Sequence, residues 1–113
     1  MGVIQKREFK TFKEFYPFYL VKHSKGWTKK LHFIGTFFAI CIWIYAIVTR
    51  QWLFIPLGLA VGYFFAWSSH FFIQKNIPAT FQNPILGFRG DFYLFYELLT
   101  RKRDFQDEKI DQI

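Results

Sequence analysis

Segments 31–49 and 52–73 are almost wholly apolar, and only Arg50-Gln51 separates them. At about 1.5 Å of rise per residue, each can cross a hydrocarbon core roughly 30 Å thick. So short a link makes the two helices fold back on each other, and the predicted spans are 28–49 and 52–73. Shorter apolar patterns flank them. Phe12, Phe15, Tyr16, Tyr19 and Leu20 recur at helical spacing, and Thr11 to Glu14 has the capping-box pattern, so a helix is expected over 11–23. Pro17 inside it should kink it or mark its first turn. Asp91 can cap a helix over 91–100 that is aromatic on one side. Neither can span a bilayer, so both are expected to be interfacial or re-entrant.

The predicted fold class is therefore all-α integral membrane: an antiparallel two-helix transmembrane hairpin flanked by two short amphipathic interfacial or re-entrant helices. One membrane domain, 1–113, is expected, with tails at 1–10 and 101–113, the second of them fraying. Between the flanking helices and the hairpin, Thr28 can cap the first span, Lys29 and Lys30 can snorkel to headgroups, and Pro78 and Pro84 interrupt the chain after the second.

Within the hairpin, Gly58, Gly62 and Ala66 recur at four-residue intervals, and the next step is His70. Such a stripe lets helix backbones approach closely in lipid. His32, Gly35, Thr36, Ala39 and Ala46 fall on one face of the first span. Both histidines should thus point into the helix contact. They also lie equally far from Gln51 in sequence, which places them at one depth, about 28 Å from the turn. His23 reaches the same membrane face from the flanking helix.

Composition is consistent with lipid cover. Seventeen Phe, six Tyr and four Trp make 24% of the chain aromatic, more apolar surface than one small soluble core can hide. The first twelve residues lack the apolar run of a signal peptide, so the first span reads as internal and uncleaved. The single Cys41 excludes an intrachain disulfide. The net charge of +7 is placed outside the spans: eight Lys and Arg precede Leu31, six follow Ile73, and Arg50 alone occupies the turn. That distribution sets topology, with both termini cytoplasmic, and excludes nucleic acid as the partner.

A lone histidine at a membrane interface is often filler, but three at one depth make a candidate transition-metal site. Imidazole suits Fe, Zn, Cu or Ni, so residue type leaves the metal open. Glu14, Asp91 and Glu97 are the carboxylates that could complete or orient the shell, although Asp91 serves equally as a helix cap. No phosphate loop, Cys pair, G-x-S-x-G or H-E-x-x-H occurs.

The residues Glu14-Phe15-Tyr16-Pro17-Phe18-Tyr19-Leu20, His23-Ser24 and Leu31-His32-Phe33-Ile34-Gly35-Thr36 resemble the first block of a small membrane family long known as a domain of unknown function. Trp67, His70-Phe71-Phe72, Lys75-Asn76 and Pro78-Ala79-Thr80-Phe81 resemble its second block, and Gly90-Asp91-Phe92 with Glu97-Leu98-Leu99 its third. The family's fungal representatives are 2-hydroxy fatty acid dioxygenases of the endoplasmic reticulum that shorten the acyl chain by one carbon in alpha-oxidation. The resemblance implies Fe(II) held by His23, His32 and His70, with Glu14, Gln74, Asn76, Asp91 and Glu97 as supporting candidates. It also implies O₂ and a membrane lipid or 2-hydroxy fatty acid as partners. The substrate carboxylate is expected beside Lys22, Lys25, Lys29, Lys30 or Lys75. The chain departs from the family pattern at Ser69, at Gln74, where a Glu is usual, and at Ile77, where an Arg is usual. Gln74 can hydrogen-bond but brings no charge.

Two function classes follow: an iron-dependent membrane dioxygenase, or a non-catalytic hairpin that anchors or scaffolds a partner. The membrane is expected to be the endoplasmic reticulum in a eukaryote and the inner or plasma membrane in a prokaryote. Homo-oligomerisation stays open.

Overall fold

The structure, a computed structural model, describes residues 9–109. The expected tail segments 1–8 and 110–113 lie outside the described residues. Among the described residues all regular structure is helical: α1 (Phe12–Val21), α2 (Gly26–Thr49), α3 (Phe54–Ser69), a π-helical turn (His70–Gln74), a 3₁₀ turn (Ala79–Phe81) and α4 (Pro84–Leu99). The cap foreseen for α1 is formed, with Thr11 Oγ1 accepting from the Glu14 N–H at 3.2 Å. The Glu14 carboxylate accepts from the Lys10 N–H rather than closing the reciprocal bond to Thr11.

α2, and α3 together with the π turn that continues it (Phe54–Gln74), are two helical stretches long and apolar enough to cross a membrane. They pair through the small-residue faces. A Cβ added at Gly35 would lie 2.7 Å from Phe65 Cβ and 2.9 Å from the Gly62 carbonyl oxygen, so only glycine permits this approach. The reversal takes more chain than Arg50-Gln51. Arg50 adopts the left-handed conformation (φ 56°) as the C-cap of α2, and the Phe54 and Ile55 N–H groups bond Gln51 and Trp52 carbonyls before α3 begins. α3 therefore starts at Phe54, and α2 starts at Gly26 rather than Thr28. Thr28 is buried and donates to the Gln74 side chain instead of capping.

α1 and α4 pack against each other at the open end of the hairpin. Their shared core is Phe15, Tyr16, Tyr19, Ala79, Leu94 and Leu98. The helix expected over 91–100 is longer than foreseen, because Pro84 occupies its first turn, where the missing N–H costs nothing. Gly87 and Gly90 admit close neighbours: an added Cβ would lie 2.5 Å from Thr80 Cγ2 and 2.8 Å from the Tyr19 ring. Asp91 is consequently not a cap but a buried mid-helix residue.

The tail is also not frayed over 101–109. Lys29, rather than snorkelling, is 1% exposed and donates to the carbonyls of Asp104 and Gln106 and to the Glu108 carboxylate. The Gly26 N–H donates to Asp107 Oδ1 at 2.6 Å, and the Glu108 N–H to the Ser24 carbonyl at 2.7 Å. Arg103 pairs with both Glu97 and Glu108. These bonds make the segment a strap over the α1–α2 corner.

Burial alone would raise the Glu108 carboxyl, but its bonds to Lys29 and Arg103 outweigh that and hold it below its ordinary value. A carboxyl lowered on folding stabilises above its unfolded value, about 4.3, and loses that contribution as pH falls through the lower folded one. Hydrogen-exchange protection over 104–108 is expected to be full at neutral pH and to fall in acid. Glu108→Gln should weaken it at pH 7 and reduce the acid dependence, leaving the part due to Asp107 and Glu97. Wild-type protection that ignores acid would contradict this.

Candidate metal centre

Three local structures each deliver one imidazole. His23 follows the end of α1, with its N–H bonded to the Leu20 carbonyl at 3.0 Å. The Tyr19 ring, one turn earlier, stacks on it with centroids 3.9 Å apart. His32 lies on the buried face of α2. His70 opens the π turn, a widened turn of a kind frequent at functional sites. That turn ends at Lys75 in the left-handed conformation (φ 60°), and both Lys75 and Asn76 N–H groups reach back to the His70 carbonyl. The reversal returns the Asn76 side chain to the His70 ring.

Each imidazole has an oxygen at Nδ1. His23 Nδ1 lies 2.7 Å from the Tyr19 carbonyl oxygen, which can only accept, so Nδ1 carries the proton. His70 Nδ1 lies 2.7 Å from Asn76 Oδ1, and the Asn76 amide is oriented by donating to the Lys22 carbonyl at 3.2 Å. His32 Nδ1 faces Asp91 Oδ1 at 3.5 Å. With the Nδ1 protons of His23 and His70 directed outward, the unprotonated Nε2 atoms of these two rings face inward, and that of His32 meets them. His23 Nε2 stands 3.1 Å from that of His32 and 3.0 Å from that of His70. All three histidines are buried. Burial, reinforced by the other two rings, pushes His23 well below its ordinary value and keeps it in the neutral, ligating form.

Asp91 anchors the surrounding shell. Tyr19 donates to it at 2.6 Å, and Tyr63 also bonds to it. Burial pushes its carboxyl up to about 7, against the lowering effect of the two phenols. Of the other supporting candidates, Asn76 is in place and three are not at the imidazoles. Glu14 is exposed at the start of α1, bonded to Lys10. Glu97 accepts from Tyr16 and Arg103. Gln74 accepts from Thr28 Oγ1 at 2.8 Å and the Lys25 N–H at 3.1 Å, and donates to Ser24 at 2.8 Å. It clamps the π turn to the α1–α2 loop, a task a neutral amide performs without a charge.

Tyr19 and Tyr63 are the residues that sequence reasoning missed. Tyr19 read only as part of an apolar face, although it lies four positions before His23, where both ring and carbonyl can serve the imidazole. Tyr63 lies seven positions before His70, on the same helix face. Of the five lysines expected near a substrate carboxylate, Lys29 is committed to the strap, and Lys22 Nζ donates to the Ile77 carbonyl at 2.6 Å.

The donor set fits a metal. The His ligand atoms all lie within 4.8 Å of one another. Two nitrogens each about 2.1 Å from one ion and at right angles stand roughly 3 Å apart, the separation found here. A model of the family described as 2-hydroxy-palmitic acid dioxygenase Mpo1-like matches residues 9–103. The chain belongs to this family. No curated protein and no solved structure matches it. The Mpo1-like match spans α1, the hairpin, α4 and the start of the strap, so all three histidines lie inside it.

Asn76→Ala removes the acceptor that holds the His70 tautomer. Its metal affinity is expected to fall about 10–100-fold, the usual effect of losing such an outer partner. Asn76→Asp, which keeps the acceptor, should lose less. Anaerobic titration with Co(II), followed by absorption, measures both, and an unchanged affinity for Asn76→Ala would refute the assignment.

Proposed function

We propose that this chain is a membrane-embedded Fe(II)-dependent dioxygenase that shortens 2-hydroxy fatty acids by one carbon. The observation that supports the reading is the convergence of three buried imidazoles, with His23 Nε2 about 3 Å from those of both His32 and His70, inside a family described by a 2-hydroxy-palmitic acid dioxygenase. His23, His32 and His70 would hold the iron, which supplies O₂ binding and electron transfer at positions the protein leaves open. The overall reaction balances as R–CH(OH)–COOH plus O₂ giving R–COOH, CO₂ and water.

The chain's own residues do the rest. Tyr19 and Asn76 fix two imidazole tautomers through Nδ1. Asp91 faces the third and holds it with the help of the Tyr19 and Tyr63 hydroxyls. The cap formed by α1 and α4 keeps bulk water off the rings, which are at most 4% exposed.

Membrane insertion accounts for the outer surface. Val48, Leu53, Phe64 and Phe72 are each more than two-thirds exposed, which water would not tolerate over such an area. Trp27 and Trp52 are exposed near opposite ends of α2, as interface anchors are. The excess of Lys and Arg outside the spans supports an orientation with both termini and the histidine end on the cytoplasmic side, at headgroup level. A fatty acid in that leaflet brings its carboxylate to the same depth. The membrane is the endoplasmic reticulum in a eukaryotic cell and the inner or plasma membrane in a prokaryote.

Detergent-purified protein loaded under argon should hold stoichiometric Fe(II), and His32→Ala and His70→Ala should hold almost none. With 2-hydroxypalmitate and O₂ the wild type should release the acid one carbon shorter, and both variants should be inactive. Absence of iron from the wild type would defeat the oxygenase reading and leave the hairpin as an anchor or scaffold. Bound iron without this product would defeat the substrate assignment.

A further inference from the structure

Two cavities share a wall at Tyr63 and Asp91. The first is the histidine cavity, and Thr80 lines it together with the three imidazoles. The Thr80 hydroxyl oxygen is buried and has no hydrogen-bond partner. Leaving such a group unpaired costs roughly 1–3 kcal/mol, so a native structure that keeps one calls for a reason. Thr80 is also held in place. Gly87 of α4 packs so tightly on its methyl and backbone that a Cβ there would lie 2.5 Å from Cγ2 and 2.9 Å from Cα.

The second cavity is an apolar slot between α2, α3 and α4, lined by Thr36, Ala39, Gly58, Gly62, Phe92 and Trp43. Trp43 stands farthest from the histidines along α2 and is fixed there. Its Nε1–H donates to the Ile55 carbonyl at 2.8 Å, its ring stacks on Phe92, and Gly58 leaves room for no side chain beneath it. Tyr63 and Asp91, hydrogen-bonded to each other, line both cavities, so the slot adjoins the histidine cavity across this pair. From His32 to Trp43 the helix rises about 16 Å. That is about half of a hydrocarbon core roughly 30 Å thick, the length of an acyl chain in one leaflet.

We propose that the two cavities form one substrate site, in which the Thr80 hydroxyl hydrogen-bonds the polar head of the 2-hydroxy acid and the slot takes the acyl tail as far as Trp43. Trp43 then sets the preferred chain length. The assignment rests on the 2-hydroxy fatty acid reading above and adds the residues that hold the substrate.

The test uses the full chain in detergent, loaded with Fe(II) and kept under argon so that no turnover occurs. A 2-hydroxypalmitate analogue with a diazirine at its methyl end is photolysed and its adducts are mapped by mass spectrometry. Adducts are expected at Trp43 and the adjoining slot residues. In equilibrium binding of 2-hydroxypalmitate, Thr80→Val should weaken affinity about tenfold, the worth of one hydrogen bond, and Thr80→Ser should restore it. Trp43→Ala should move the preferred length to longer acids. Adducts confined to outward residues such as Val48 and Phe72, or a Thr80→Val affinity equal to wild type, would overturn the proposal. Turnover with adducts outside the slot would sink the slot alone, whereas slot adducts on a chain that retains no iron would sink the oxygenase reading alone.

Discussion

His23 Nε2 stands about 3 Å from Nε2 of both His32 and His70, a crowding of ring nitrogens that a cation among them would relieve. In this chain the Nδ1 protons of His23 and His70 are committed outward, to the Tyr19 carbonyl and the Asn76 amide, and that of His32 faces Asp91. Those commitments leave Nε2 of His23 and of His70 with no proton to donate to the other. The cluster is buried, so water cannot relieve the repulsion cheaply. Most other features of the fold make sense as devices that hold this costly arrangement in place.

Those devices come from different parts of the chain. The close pairing of α2 and α3 brings His32 and His70 to ring centroids 5.3 Å apart, and it depends on Gly35 meeting the backbone at Gly62. The π turn and left-handed Lys75 return Asn76 to the His70 ring. Gly90 admits the Tyr19 ring to the surface of α4, and Tyr19 then serves His23 by stacking and through its carbonyl, and Asp91 through its hydroxyl. Gln74 and the strap lock the α1–α2 corner that carries His23. The strap's buried Lys29 has a full set of oxygen partners, which is the condition under which a buried cation is tolerated.

How much of this was legible in the sequence varies with the range of the interaction responsible. The hairpin and the inward aim of His32 and His70 were readable, because four-residue spacing of small residues is a local pattern with one geometric meaning. Convergence of the third histidine was readable only as a matter of depth. The start of α4 was not: Gly87 and Gly90 look like breakers until Thr80 and Tyr19 are seen pressed against them. The strap was misread because Lys29, Arg103 and Glu108 resemble solvated charges when their partners lie 75 or more residues away, as they do for Lys29. Gln74 looked like a damaged ligand position and is instead a clamp. Asp91 looked like a cap because the helix it belongs to starts earlier, at a proline. In each case the missing information was tertiary, and the family resemblance, which pointed to the three histidines that the structure brings together, carried none of it.

The central claim is that His23, His32 and His70 bind one metal ion through Nε2. Iron K-edge X-ray absorption on the anaerobically loaded protein tests it most directly. The account predicts a first shell containing three imidazole nitrogens at about 2.1 Å, with the multiple-scattering signature of the rings, reduced when any one histidine is replaced by alanine. A shell of oxygen ligands alone, or a spectrum that no histidine replacement alters, would contradict it.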